Sequence, residues 1–129
     1  MVSMPKSLED YADEARKEVT EIPPEEVDPM INEGGWVVLD VREPDEYAEG
    51  HIPRAINCPR GFLEVKADPE HHKRDERLQD RNQKFICYCG GGYRSLLAAK
   101  TMKEMGFQDA VSMSGGWKTW QDEGRSEEQ

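Results

Sequence analysis

Apolar residues in this chain come in short runs separated by charged stretches, and the runs differ in kind. Residues 36–41, Trp-Val-Val-Leu-Asp-Val, form a nearly continuous β-forming run without alternation, the pattern of a strand covered on both faces. Residues 85–88 and 110–113 are two further short strands. Between them, residues 94–105 carry Leu97, Ala98, Met102 and Met105 as an apolar helical stripe, with Gly106 as the stop. Upstream, Ser7 caps a helix over 7–18 with an acidic first turn and Leu8, Tyr11, Ala12 and Ala15 at helical spacing. Residues 19–22 read as a short edge strand. Pro23-Pro24 opens a second helix that Gly34-Gly35 ends. Strands alternating with helices predict an α/β fold with a parallel sheet, in which ligands bind beyond the carboxyl ends of the strands.

Residues 60–84 contain many charges, including Glu64, Lys66, Asp68, His71, His72 and Arg77, and few apolar anchors. They read as a long exposed connection with at most one helical turn. Residues 125–129 read as a frayed tail. The expected organisation is a helical extension over 1–18, one domain over 19–124, and that tail.

Composition narrows the partners. The chain has 129 residues, a common single-domain size, and a net charge of −10, which disfavours nucleic acid and anionic membrane surfaces. No run approaches the ~18 apolar residues of a membrane span, and residues 1–5 lack the apolar core of a signal peptide. Three cysteines, Cys58, Cys87 and Cys89, are odd in number and too few for a disulfide framework. The expectation is a soluble protein of the cytoplasm.

The chemistry concentrates in Cys89-Gly90-Gly91-Gly92-Tyr93-Arg94-Ser95. A strand that turns directly into a helix leaves the first helical N–H groups unpaired and partially positive, which attracts anions. Three consecutive glycines let the loop curl until several N–H groups share a centre. Helix N-termini and neighbouring cations favour the thiolate form of a cysteine, and Arg94 adds a planar donor fork suited to oxyanions. Cys89 therefore reads as a nucleophile, whereas Cys87, inside the apolar strand, reads as core.

Three separated motifs give the chain a resemblance to the rhodanese-like sulfurtransferase family over about residues 20–124. The first is Leu39-Asp40-Val41-Arg42-Glu43-Pro44-Asp45-Glu46-Tyr47, followed by Gly50-His51-Ile52-Pro53-Arg54-Ala55-Ile56-Asn57. The second is the Cys89 loop, similar to the family's Cys-x-x-Gly-x-Arg-Ser. The third is Ser114-Gly115-Gly116-Trp117, with Trp120 and Gly124. The resemblance implies a central five-stranded, mostly parallel sheet with helices on both faces. It also implies a covalent Cys89 persulfide, with no separate cofactor. An anionic donor such as thiosulfate supplies the sulfur, and cyanide, a thiol or a protein thiol accepts it.

The remaining candidates divide between support and contact. Asp40 and Arg42, two apart at a strand end, face the same way and read as structural support, an ion pair or a hydrogen-bond network beneath the loop. Arg60 and Lys66, which follow a strand end expected near the site, are candidate contacts for an anionic donor. His51 reads as part of a scaffold turn, and Trp117 and Trp120 as packing. His71-His72 lacks the ligand spacing of a metal site, and none is expected. Two other functions remain open: a non-catalytic binding module, and a phosphatase or arsenate reductase. Against the latter, four residues separate Cys89 from Arg94, where such loops usually have five.

Overall fold

A computed structural model describes residues 4–129; residues 1–3 of the expected N-terminal extension lie outside it. Five parallel strands form one sheet in the order β1-β5-β4-β2-β3, with β1 Glu21–Ile22, β2 Trp36–Asp40, β3 Ile56–Asn57, β4 Lys84–Tyr88 and β5 Ala110–Met113. The helices are α1 Leu8–Arg16, α2 Pro24–Glu33, α3 Pro44–Glu49, α4 Leu63–Ala67, α5 Tyr93–Glu104 and α6 Gly116–Asp122.

The alternation of side chains along β2 and β4 divides the core into two layers. Leu39, Phe85 and Cys87 pack with Ala12 and Ala15 of α1, Leu63 and Ala67 of α4, and Leu96, Ala99 and Met102 of α5. On the other face Val38, Ile86 and Tyr88 pack with Val27 of α2 and Trp117 and Trp120 of α6. Every residue of β4 from Phe85 to Tyr88 is fully buried, as its unbroken apolar run requires. That central strand ends at Tyr88, and Cys89 is the next residue.

Three expectations need correction. The buried face of α5 is Ser95, Leu96, Ala98, Ala99 and Met102, while Leu97 and Met105 are only partly covered. The helix lies between the sheet and α1, so it is buried on two sides and small residues replace a single apolar stripe. Residues 60–84 are not merely exposed connection. They hold 3₁₀ turns at Arg60–Phe62 and Glu76–Leu78 around α4, and Leu63, Ala67 and Leu78 are fully buried. Arg81 fastens the segment by donating to the carbonyls of Ala67 (2.8 Å) and Met105 (2.9 Å), with its guanidinium over the Phe107 ring.

The tail, too, is paired. His51 and Glu128 exchange two backbone hydrogen bonds of 2.9 Å, and Trp120 Nε1 donates to the Ser126 carbonyl at 2.7 Å. Buried polar groups require partners, and the last residues supply them.

Candidate active site

Cys89 follows β4 directly, and α5 begins four residues later at Tyr93. The Cys89 side chain turns back into the loop. Its Sγ accepts the N–H of Gly92 at 3.1 Å and that of Ser95 at 3.4 Å, and as a thiol it faces Ser95 Oγ at 3.5 Å. Ser95 Oγ is held in turn by the hydroxyl of Ser112 on β5 (2.8 Å) and by the Gly92 carbonyl (3.3 Å). The residue is 1% exposed, so its sulfur lies within the curl of the loop. Backbone donors converging on one sulfur form the nest anticipated from the glycine run, although only Gly92, at φ +113°, adopts left-handed backbone. Gly90 serves differently: a Cβ there would meet Arg94 Nη2 at 3.2 Å, so the missing side chain makes room for the guanidinium.

The outer wall of the loop is α6. The N–H groups of Trp117 and Lys118 donate to the carbonyls of Cys89 (2.7 Å) and Gly90 (3.2 Å). This contact requires a glycine at 116, where φ is +61° and a Cβ would stand 2.5 Å from the Cys89 oxygen. The role of Gly116 escaped the sequence reading, although its motif was visible. Ser112 also escaped it, since nothing in a short apolar strand marks a serine as a partner of a distant hydroxyl.

Beneath the loop, Asp40 and Arg42 form the anticipated ion pair, with Nη2–Oδ2 at 2.6 Å, and both are buried. Tyr88 donates its hydroxyl to Asp40 Oδ2 at 2.7 Å and receives the Ile52 N–H at 3.1 Å. Asn57 Nδ2 bridges the carbonyls of Asp40 and Arg42, each at 2.9 Å. Arg42 also donates to the Gly50 carbonyl and lies over the Trp117 ring, tying the network to α6. Burial and the adjacent Asp40 carboxylate push the Tyr88 phenol far above its ordinary range, so it remains a donor.

Arg94 is placed at the loop, as expected, but not as a free cation. Its guanidinium donates in bidentate fashion to Glu46 of α3, with Nη1–Oε1 at 2.8 Å and Nη2–Oε2 at 3.2 Å. Arg60 is not brought to the loop. It donates to Glu64 (3.0 Å) and to Thr101 on the flank of α5 (3.0 Å), beside a cavity of about 310 Å³ lined by Tyr11, Glu14, Leu97 and Lys100. The 3₁₀ turn at residues 60–62 gives Arg60 an i,i+4 partner on its own segment. Lys66 reaches the Lys73 carbonyl instead. His51 stacks on Tyr47 at 3.8 Å, and its Nδ1 lies 2.9 Å from the Ile52 carbonyl, in keeping with a scaffold role. Cys87 Sγ lies 3.6 Å from Met102 Sδ within the core. Tyr93, at the exposed start of α5, donates to Glu9 of α1.

The site is thus a curled loop at the end of the central strand of a five-stranded parallel sheet, with backbone N–H groups converging on an inward-facing thiol. The chain belongs to the rhodanese-like domain family, whose model matches residues 23–123. YrkF of Bacillus subtilis is 36% identical over 83 residues, 64% of this chain and 40% of that protein. The thiosulfate sulfurtransferase GlpE of Coxiella burnetii is 29% identical over 91 residues, 70% of this chain and 77% of that one. The chain spans 40% to 66% of the length of the first curated relatives it matches. Among solved structures, the Rhodopseudomonas palustris protein RPA3614 superposes with a TM-score of 0.91 at 30% identity, covering 99% of this chain and 98% of that one. It is described as a protein of unknown function and possible tyrosine phosphatase. The superposition takes in α1, which the family model leaves out. Among the described residues, no helix is long and apolar enough to cross a membrane.

Proposed function

We propose that this protein is a sulfurtransferase that carries a sulfane sulfur on Cys89, taken from thiosulfate or from the persulfide of a small thiol. The observation that carries the reading is the pair of backbone N–H groups, Gly92 and Ser95, that meet the Cys89 sulfur inside a loop with only four residues between Cys89 and Arg94. Donors fixed in advance around one sulfur stabilise negative charge wherever it develops there.

In the first displacement, the Cys89 thiolate attacks the outer sulfur of thiosulfate. The bond between the two donor sulfurs breaks with its electron pair, sulfite leaves, and Cys89 holds a persulfide anion. In the second, the thiolate of an acceptor, or cyanide, attacks the outer sulfur. The cysteine leaves as thiolate, and the product is an acceptor persulfide or thiocyanate. No electrons are gained or lost overall, and the two displacements predict ping-pong kinetics. Before reaction the thiol proton has an acceptor in Ser95 Oγ, which Ser112 holds in place. Three free cysteines suit the reducing cytoplasm, and a relative named as a thiosulfate sulfurtransferase supports the donor class.

Phosphatase chemistry is a second reading, favoured by the description of RPA3614. The four-residue span disfavours it, because a tighter curl suits a sulfur-sized anion better than a phosphate ester.

Intact-protein mass spectrometry after incubation with thiosulfate tests the proposal. The expected result is a gain of one sulfur, about 32 Da, on the wild type, removed by cyanide and absent from Cys89→Ser. Absence of any adduct with thiosulfate or with glutathione persulfide, together with Cys89-dependent hydrolysis of para-nitrophenyl phosphate, would move the assignment to phosphoryl chemistry. Absence of both activities would leave a binding module.

A further inference from the structure

Arg94 is the single permanent cation in the 89–95 loop, and it is already engaged. Its partner Glu46 is not a casual surface carboxylate. Glu46 sits in the first turn of α3, where its Oε1 also accepts the N–H of Glu43 at 2.9 Å in a capping box. That second bond fixes the carboxylate before Arg94 arrives, so little side-chain freedom remains to be lost in pairing. The guanidinium lies close beside Gly90, where a Cβ would stand 3.2 Å from its Nη2. The hydrogen bonds from Arg94 hold the Glu46 carboxyl below its ordinary range, so it is charged at neutral pH.

Consider an oxyanion approaching this loop. To use the Arg94 fork, it must displace a carboxylate that is held from behind. To bind without displacing it, the oxyanion must accept a like charge as neighbour. Either cost grows with the charge of the incoming donor. A persulfide whose charge resides on the sulfur itself needs only the backbone donors of Gly92 and Ser95.

We propose that Glu46 is a specificity-determining residue of this site, which acts through Arg94 to disfavour dianionic sulfur donors relative to donors of lower charge. This rests on the sulfur-transfer reading of Cys89. The Glu46–Arg94 pair is partly exposed, with the two side chains 36% and 40% accessible, so its leverage is moderate.

Two donors that react by the same displacement but differ by one charge make the test: thiosulfate, a dianion that releases sulfite, and methanethiosulfonate, a monoanion that releases methanesulfinate. Glu46→Gln removes the charge and keeps an oxygen for the Glu43 N–H and for Arg94. The expected result is a fall in the KM for thiosulfate of roughly three- to tenfold with little change in kcat, and a clearly smaller change for methanethiosulfonate. Equal changes for the two donors, or a common loss of kcat, would overturn the proposal and make Glu46 a scaffold residue. A binding measurement free of chemistry accompanies it: NMR titration of Cys89→Ser with sulfate, with and without Glu46→Gln, in which the charge-removed protein binds sulfate more tightly. Unchanged affinity would count against the proposal. If the wild type takes sulfur from neither donor, the sulfur-transfer reading fails instead, and the two failures are told apart by whether a Cys89 persulfide forms at all.

Discussion

Gly116 approaches the carbonyl of Cys89 so closely that a methyl group on it would lie 2.5 Å from that oxygen and 2.6 Å from the oxygen of Gly90. Both obstacles are backbone, so neither can swing aside. The chain there is also left-handed, at φ +61°.

Gly124 offers the control. It too is left-handed, at φ +69°, but nothing lies within 4 Å of where its Cβ would be. Gly124→Ala therefore incurs backbone strain alone, about 1 kcal/mol. Gly116→Ala adds a collision that must move either α6 or the loop, for a total of about 2–4 kcal/mol. Urea denaturation of the two variants measures the difference. Equal losses would mean that α6 does not clamp the loop.

The buried charge pair makes a second pair of variants informative. Tyr88→Phe removes the hydroxyl that donates to Asp40 and leaves the Ile52 N–H without its acceptor, at a cost of about 1–3 kcal/mol. Arg42→Met leaves the Asp40 carboxylate buried without its cation, at a cost of about 3–5 kcal/mol. Because both residues act on the same carboxylate, the double variant should depart from the sum of the two losses. Strict additivity in chemical denaturation would refute a shared network.

Alkaline stability supplies a third prediction. Burial pushes the Cys58 thiol from an ordinary 9.0 up to about 11, and that of Cys87 up to about 12. A folded-state pKa raised above the unfolded one gives stability that is complete below the unfolded value and is lost as pH rises through the folded value. The window for Cys58 thus opens near 9 and closes near 11, and two pKa units correspond to about 3 kcal/mol. Unfolding free energies at about pH 8 and about pH 11 should differ less in Cys58→Ala than in the wild type by an amount of that order. An unchanged difference would show that Cys58 titrates normally.

What the sequence made legible was whatever is local. The covered strands β2 and β4 are unbroken apolar runs, and the thiol, the glycines and Arg94 stand within seven consecutive residues. The partner of Arg94 was hidden because Glu46 lies 48 positions away and looks, in sequence, like one more acid in a first helical turn. The packing of residues 60–84 was hidden because Leu63, Ala67 and Leu78 are three anchors spread among charges, too sparse to set a period. The tail was misread because its contribution is backbone pairing with His51, which no side-chain pattern announces. Arg60 was placed near the thiol from chain proximity to a strand end, whereas the turn that follows directs it along α5.

The hydrogen bonds from α6 to the Cys89 and Gly90 carbonyls also fix something that lies on the far side of each peptide. In a planar trans peptide the C=O and the following N–H point in opposite directions. Holding the oxygens of residues 89 and 90 against Trp117 and Lys118 therefore turns the N–H groups of Gly90 and Gly91 away from that helix. The polarity of the loop is set from outside it, by a neighbouring element that need never touch the substrate, and rotation of either peptide plane would break a bond to α6 first.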